Sequence, residues 1–158
     1  MGPGQRVEKG QAMTKVYRMD HPGYTDWYEL HVSNTRKVMQ NHIAKQFKEW
    51  GISKHLPDGM DNVGGMVHPI IDTTGQFCTM FLCEEYLGVG TVAHECLHAA
   101  MAHERWITHF AMDYGDGLEN LEDEERLAYR LTDIVKQVYD VLFANGHAQR
   151  FEKSKKKS

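Results

Sequence analysis

One short segment of the chain holds the residues best suited to chemistry. The segment Val92–Ala100 reads VAHECLHAA, and within it His94, Glu95 and His98 form the pattern His-Glu-x-x-His. Residues four apart lie on one face of a helix, so His94 and His98 can aim two imidazole nitrogens at one point. Two such nitrogens are typical zinc ligands. The spacing therefore predicts a metal-binding pair.

Glu95 lies about 100° around the helix from His94, where it would not compete as a ligand. Its carboxylate could instead reach a water molecule on the metal and act as a general base. The alternative is a core helix whose two histidines are satisfied by packing. We favour the metal site, because a carboxylate between two histidines on an apolar helix would need a partner.

A catalytic zinc site usually takes three protein ligands and leaves the fourth position for water. A third histidine six residues beyond His98, as in metzincins, is excluded because that position is Glu104. His103 falls on the wrong side of the helix for the same metal. Cys96 lies about 200° from His94 and should point away. The third ligand is therefore expected from the acidic start of the last predicted helix.

Two glutamates in that acidic start are candidates, Glu124 and Glu125. Periodicity favours Glu124, which is in row with Leu127, Leu131 and Val135, but steps of about 100° per residue do not separate the two cleanly. The other acidic residues are interpreted as a solvated helix start that the dipole favours. They are Glu119, Glu122 and Asp123.

The composition is typical of a soluble globular protein: 158 residues, 41% hydrophobic, 25% charged and a net charge of −4. We expect a disordered extension at 1–13, one domain at 14–150 and a basic disordered tail at 151–158. Without an apolar leader or membrane span, a cytoplasmic location is expected, with no membrane or nucleic-acid partner. The three cysteines are expected to be reduced.

Periodicity and turn signals predict an α+β fold. The predicted strands are Lys15–Met19, Trp27–Val32, Met66–Asp72 and Gln76–Cys83, and the predicted helices are Arg36–Trp50, Thr91–His109 and Leu121–Ala144. The strand Gln76–Cys83 is apolar on both faces, which indicates a position between two layers. Thr91 is a candidate N-cap for the helix that carries His94.

Several segments together resemble zincin-like metallopeptidases of the gluzincin type, of the small kind encoded by phages and prophages. These segments are Tyr28–Val32 with Thr35 and Arg36, Phe77–Leu82, Thr91–Ala100 and Glu124–Tyr129, and the likeness spans roughly two-thirds of the chain. The resemblance implies a minimal zincin-like fold. In it, a small mixed or antiparallel sheet packs on the motif helix and on a second helix that bears a glutamate ligand.

The resemblance also assigns roles. The pattern Glu-x-x-Ala, here Glu125 to Ala128, implies that Glu125 is the third ligand beside His94 and His98, with Zn²⁺ as the cofactor. It implies that the strand Gln76–Cys83 could hold an extended peptide by edge pairing. One departure is Tyr129, which stands where thermolysin-like enzymes place an acid that orients a zinc histidine.

The expected function is zinc-dependent hydrolysis of a protein or peptide, with Glu95 as the catalytic base, in the host cytoplasm if the chain is phage-encoded. A second donor would stabilise the oxyanion. Candidates for that donor are Tyr114, Tyr129, His103 and His109. The alternative is a zinc-stabilised phage protein that binds and modulates a host protein without catalysis. The oligomeric state stays open.

Overall fold

The computed structural model describes residues 11–20, 25–59, 63–71, 73–110 and 121–147. They form four strands and three helices, an α+β fold as predicted. In chain order these are β1 (Thr14–Asp20), β2 (Trp27–Ser33), α1 (Arg36–Glu49), β3 (Gly65–Pro69), β4 (Gln76–Cys83), α2 (Val89–Phe110) and α3 (Leu121–Ala144). The terminal segments 1–10 and 148–158 lie outside the described residues, and so does most of the extension and tail expected from the sequence.

The four strands form one mixed sheet in the order β1-β2-β4-β3. β1 pairs antiparallel with β2, β3 pairs antiparallel with β4, and β2 and β4 run parallel. The third and fourth strands, β3 and β4, form an antiparallel hairpin. The prediction that Gln76–Cys83 offers an edge is wrong, because β4 is hydrogen-bonded on both sides. Of the described strands, β1 and β3 are the edges.

Helix α1 covers one face of the sheet. Its start is set by Thr35, whose side chain accepts a hydrogen bond from the backbone N–H of Val38. The predicted apolar stripe is buried: Met39, Ile43 and Phe47 are at most 1% exposed and pack with residues of β4. Apolar side chains that recur every four residues along α1 therefore form the face that packs on the sheet.

Helices α2 and α3 cover the opposite face and pack on each other. Their buried residues contact the side chains of β2 and β4 that point away from α1. In this layer the buried residues of the two helices are Val92, Cys96, Ala99, Ala100, Ala102, Ile134, Val138 and Leu142. The prediction that β4 lies between two layers is confirmed.

Two local predictions about α2 have different outcomes. Cys96 is fully buried in the core, as expected from its angle on the helix. Thr91 is not the N-cap, because the helix begins two residues earlier at Val89, and the N–H of Val92 bonds the carbonyl of Gly88. Thr91 therefore lies within the first turn. In the described part of the chain, no helix is both long and apolar enough to span a membrane.

Candidate metal centre

The first structural feature of the candidate site is the histidine pair on α2. The Nε2 atoms of His94 and His98 are 3.1 Å apart, and the two side chains are exposed on the same face of the helix. Two nitrogens bound to one tetrahedral zinc ion at about 2.0–2.1 Å lie roughly 3.3 Å apart. The helix therefore presents two nitrogens at a separation that suits a shared ion.

A second histidine pair in the structure is arranged differently. Nδ1 of His31 lies 2.6 Å from Nε2 of His42, and Nε2 of His31 lies 2.7 Å from a carboxylate oxygen of Glu29. Both distances are those of hydrogen bonds, and the first is well below the roughly 3.3 Å expected for two nitrogens on one zinc ion. This pair therefore joins β2 to α1 through a hydrogen bond.

The histidine pair opens into a cleft of about 410 Å³ between β3 and α2, here named the β3–α2 cleft. One wall is polar and comes from the helix, and the other is apolar or small and comes from the strand and the residues before it. The lining residues are Val63, Gly64, Gly65, Met66, Val67, Thr91, His94, Glu95 and His98. The edge strand β3 therefore runs beside His94, Glu95 and His98, the residues of the predicted metal site.

Glu95 lines the same cleft and is only 6% exposed. Burial raises the pKa of its carboxyl, and the neighbouring His94 acts in the opposite direction. No described residue hydrogen-bonds or ion-pairs with this carboxylate, although a buried charge normally requires a partner. A carboxylate with a raised pKa that lines a cleft beside two histidines is typical of a functional group rather than of a packing residue.

The strand wall of the β3–α2 cleft depends on two glycines. A methyl group at Gly65 would place its carbon 2.8 Å from Cγ of Glu95, and a methyl at Gly64 would lie 3.1 Å from Cβ of Tyr86. The absence of a side chain lets β3 approach α2 closely. The sequence indicated a loop here. Two adjacent glycines directly before a predicted strand were the available signal for this close approach.

The structure does not bring either candidate third ligand to the histidine pair. Glu124 and Glu125 are exposed on the first turns of α3. Among the described residues, no three His, Cys, Asp or Glu side chains are grouped so that they could hold a metal ion. The two histidines fit zinc, and among the described residues no third ligand lies beside them.

An ion pair joins the N-terminal part of α3 to α2. The guanidinium of Arg126 bonds both carboxylate oxygens of Glu104, with Nη2 and Oε2 2.6 Å apart. Glu104 is six residues beyond His98, which is about 9 Å along the helix axis. Glu125 therefore enters beside the distal half of α2 rather than beside the histidines. Residues 111–120, which connect the two helices, lie outside the described residues, and so do the side chains of residues 121–123. Glu119 and the side chains of Glu122 and Asp123 are among them.

The candidates for a second donor are also dispersed. His103 is buried on the core side of α2, where its Nε2 lies 2.6 Å from Oδ2 of Asp26. Tyr129 is 70% exposed on α3, His109 is exposed near the end of α2, and Tyr114 lies outside the described residues. Of the described candidates, none lines the β3–α2 cleft.

Comparison with known proteins does not add a relative. No protein-family model, no curated protein and no solved structure matches the chain. The functional interpretation therefore depends on the geometry of the β3–α2 cleft.

Proposed function

We propose that this chain is a zinc-dependent metallopeptidase whose active centre is the β3–α2 cleft. The observation that supports it most is the convergence of three groups in one cleft. These are two imidazole nitrogens 3.1 Å apart and a buried carboxylate with no described partner. Metal-assisted hydrolysis needs these groups, and packing alone does not account for them.

The residues divide the work as follows. His94 and His98 would hold the ion, which when bound lowers the pKa of water and polarises a carbonyl. Glu95 takes the proton of the attacking water on its carboxylate and returns it to the leaving amine. The partial burial of Glu95 favours this role, because a raised carboxyl pKa brings it closer to the value that a base needs near neutral pH.

The edge of β3 gives the cleft a way to hold an extended peptide. The N–H of Ile70 bonds the carbonyl of Phe77, which makes these residues a hydrogen-bonded pair of the antiparallel ladder. By alternation, the backbone groups of Gly65 and Val67 point away from β4, toward the free edge. Pro69 follows and has no N–H to donate. A peptide added to this edge would therefore pair through Gly65 and Val67.

The decisive experiment is a digest of a peptide library by the purified full chain. The proposal expects cleavage that a chelator removes and that added Zn²⁺ restores. Cleavage that survives the chelator, after loss of metal has been verified, contradicts it. If the chain binds one zinc ion per molecule but cleaves no peptide, the result favours the alternative of a zinc-stabilised binding protein.

Variants of the acidic start of α3 test the third ligand. We expect Glu125→Ala to lower the zinc content and Glu124→Ala to leave it unchanged, because the resemblance places the ligand at Glu125. Binding by Glu125 requires the first turn of α3 to lie closer to His98 than it does here. Zinc content is measured by atomic absorption after dialysis, with Asp140→Ala on the exposed side of α3 as the matched control. Full zinc in both glutamate variants removes both residues from the ligand set.

A further inference from the structure

The environment of Glu95 is set from the strand side of the cleft by Gly65. The Gly65 position is closed in on three sides. A methyl carbon there would be 2.8 Å from Cγ of Glu95, 3.1 Å from the carbonyl oxygen of Phe81 and 3.2 Å from Cδ2 of Leu82. The last two neighbours belong to the core strand β4, which is buried and paired on both sides. The methyl group therefore cannot be accommodated by movement of β4.

We propose that Gly65 is a positioning residue for Glu95. The bare backbone of β3 packs against the Glu95 side chain at Cγ and so limits the directions in which the carboxylate can turn. This steric contact restricts the Glu95 side chain in the β3–α2 cleft beside His94. The inference rests on the function proposed above and adds a residue outside the His-Glu-x-x-His pattern.

The physical consequence follows from the sizes involved. Carbon atoms of two side chains pack at about 3.5–4.0 Å, so a methyl at Gly65 must displace the Glu95 side chain by roughly an ångström. An error of that size in a reacting group can cost about 10²-fold in rate. The histidines lie on other positions of α2, and no contact of Gly65 with either of them is involved. Zinc binding should therefore survive.

The first test is kinetic. We expect Gly65→Ala to bind as much zinc as the wild type and to leave KM for a cleaved peptide little changed, while kcat falls about 10²-fold. In a Glu95→Gln background, Gly65→Ala should produce a much smaller further loss of the residual rate, because the closest contact of the added methyl group is with the side chain at position 95. Gly88→Ala is the control, since a methyl group there meets nothing within 4 Å. A wild-type kcat in Gly65→Ala overturns the assignment. So does a fall in rate that is as large in the Glu95→Gln background as in the wild type.

The second test does not need activity. Thermal unfolding midpoints of the wild type, Gly65→Ala, Glu95→Ala and the double variant form a cycle. The Glu95→Ala change removes Cγ, so the fall in midpoint caused by Gly65→Ala should be smaller in that background. Equal falls in both backgrounds show that Gly65 does not act on Glu95, whatever the outcome of the peptide digest. A chain that shows the coupling but cleaves no peptide retains the contact and loses the proposed function.

Discussion

Glu95→Gln should bind zinc as well as the wild type and hydrolyse peptides about 10²–10⁴-fold more slowly, which is the usual contribution of a general base. The amide of glutamine has nearly the shape of the carboxylate, so the packing against Gly65 is kept. It cannot take a proton from water, so the step that activates the nucleophile fails. The measurements are kcat on a cleaved peptide and metal content of the same sample.

Glu95→Gln should lower activity without lowering the stability of the fold. Burial raises the pKa of Glu95, which means that the ionised form is disfavoured in the folded protein at neutral pH. A carboxylate of this kind contributes stability below its unfolded pKa, and that contribution is lost as the pH rises through the folded value. Glu95→Gln removes the charge, so at neutral pH its unfolding midpoint should equal or exceed that of the wild type.

The control is Glu49→Gln, the same chemical change on an exposed carboxylate near the end of α1. It should change neither rate nor midpoint appreciably. If Glu95→Gln cuts at the wild-type rate, Glu95 is not the base. If it loses zinc as well as activity, Glu95 contributes to metal binding and the separation of roles along α2 is wrong.

Much of the local structure follows from sequence patterns. The bounds predicted for β4 and α3 are those observed. The placement of His94 and His98 on one face is a property of one helical turn, so a spacing of four residues is enough to predict it. Features within one element can be predicted because they depend on the period of that element alone.

Contacts between elements were outside the reach of those patterns. The approach of Gly65 to Glu95 joins residues 30 positions apart, and the contact between Asp26 and His103 joins residues 77 apart. Periodicity identifies the face of α3 that packs in the core. It carries no information on where α3 lies along the length of α2. The position depends on tertiary contacts such as the ion pair of Glu104 with Arg126, and so the third ligand was the least predictable part of the site.

Asp26→Ala should lower the free energy of unfolding by about 3–5 kcal/mol, the usual cost of removing one partner of a buried charged pair. Asp26 is 5% exposed, lies 2.6 Å from the imidazole of His103 and 3.9 Å from the guanidinium of Arg130. Burial alone would raise the pKa of Asp26, but the hydrogen bond from His103 and the charges of His103 and Arg130 lower it overall. Burial lowers the pKa of His103, so Arg130 is the cationic partner of Asp26 at neutral pH. The variant leaves the Arg130 charge buried without this counter-charge. Chemical unfolding at pH 7 measures the loss.

The pH dependence of that loss tests its electrostatic origin. A carboxyl whose pKa is lowered by folding contributes stability above its unfolded pKa of about 3.9, and the contribution is lost as the pH falls through the folded value. The difference in the free energy of unfolding between wild type and Asp26→Ala should therefore be largest at pH 7 and decrease below about pH 4. Asp20→Ala is the matched control: its carboxylate pairs with Arg18 at 2.9 Å, but the side chain is 67% exposed. Its cost should stay below about 1 kcal/mol. An equal cost for the two aspartates, or a gap that does not change with pH, would mean that Asp26 acts through packing and not through its charge. Asp26 would then contribute to the contact with α2 and α3 through its shape alone.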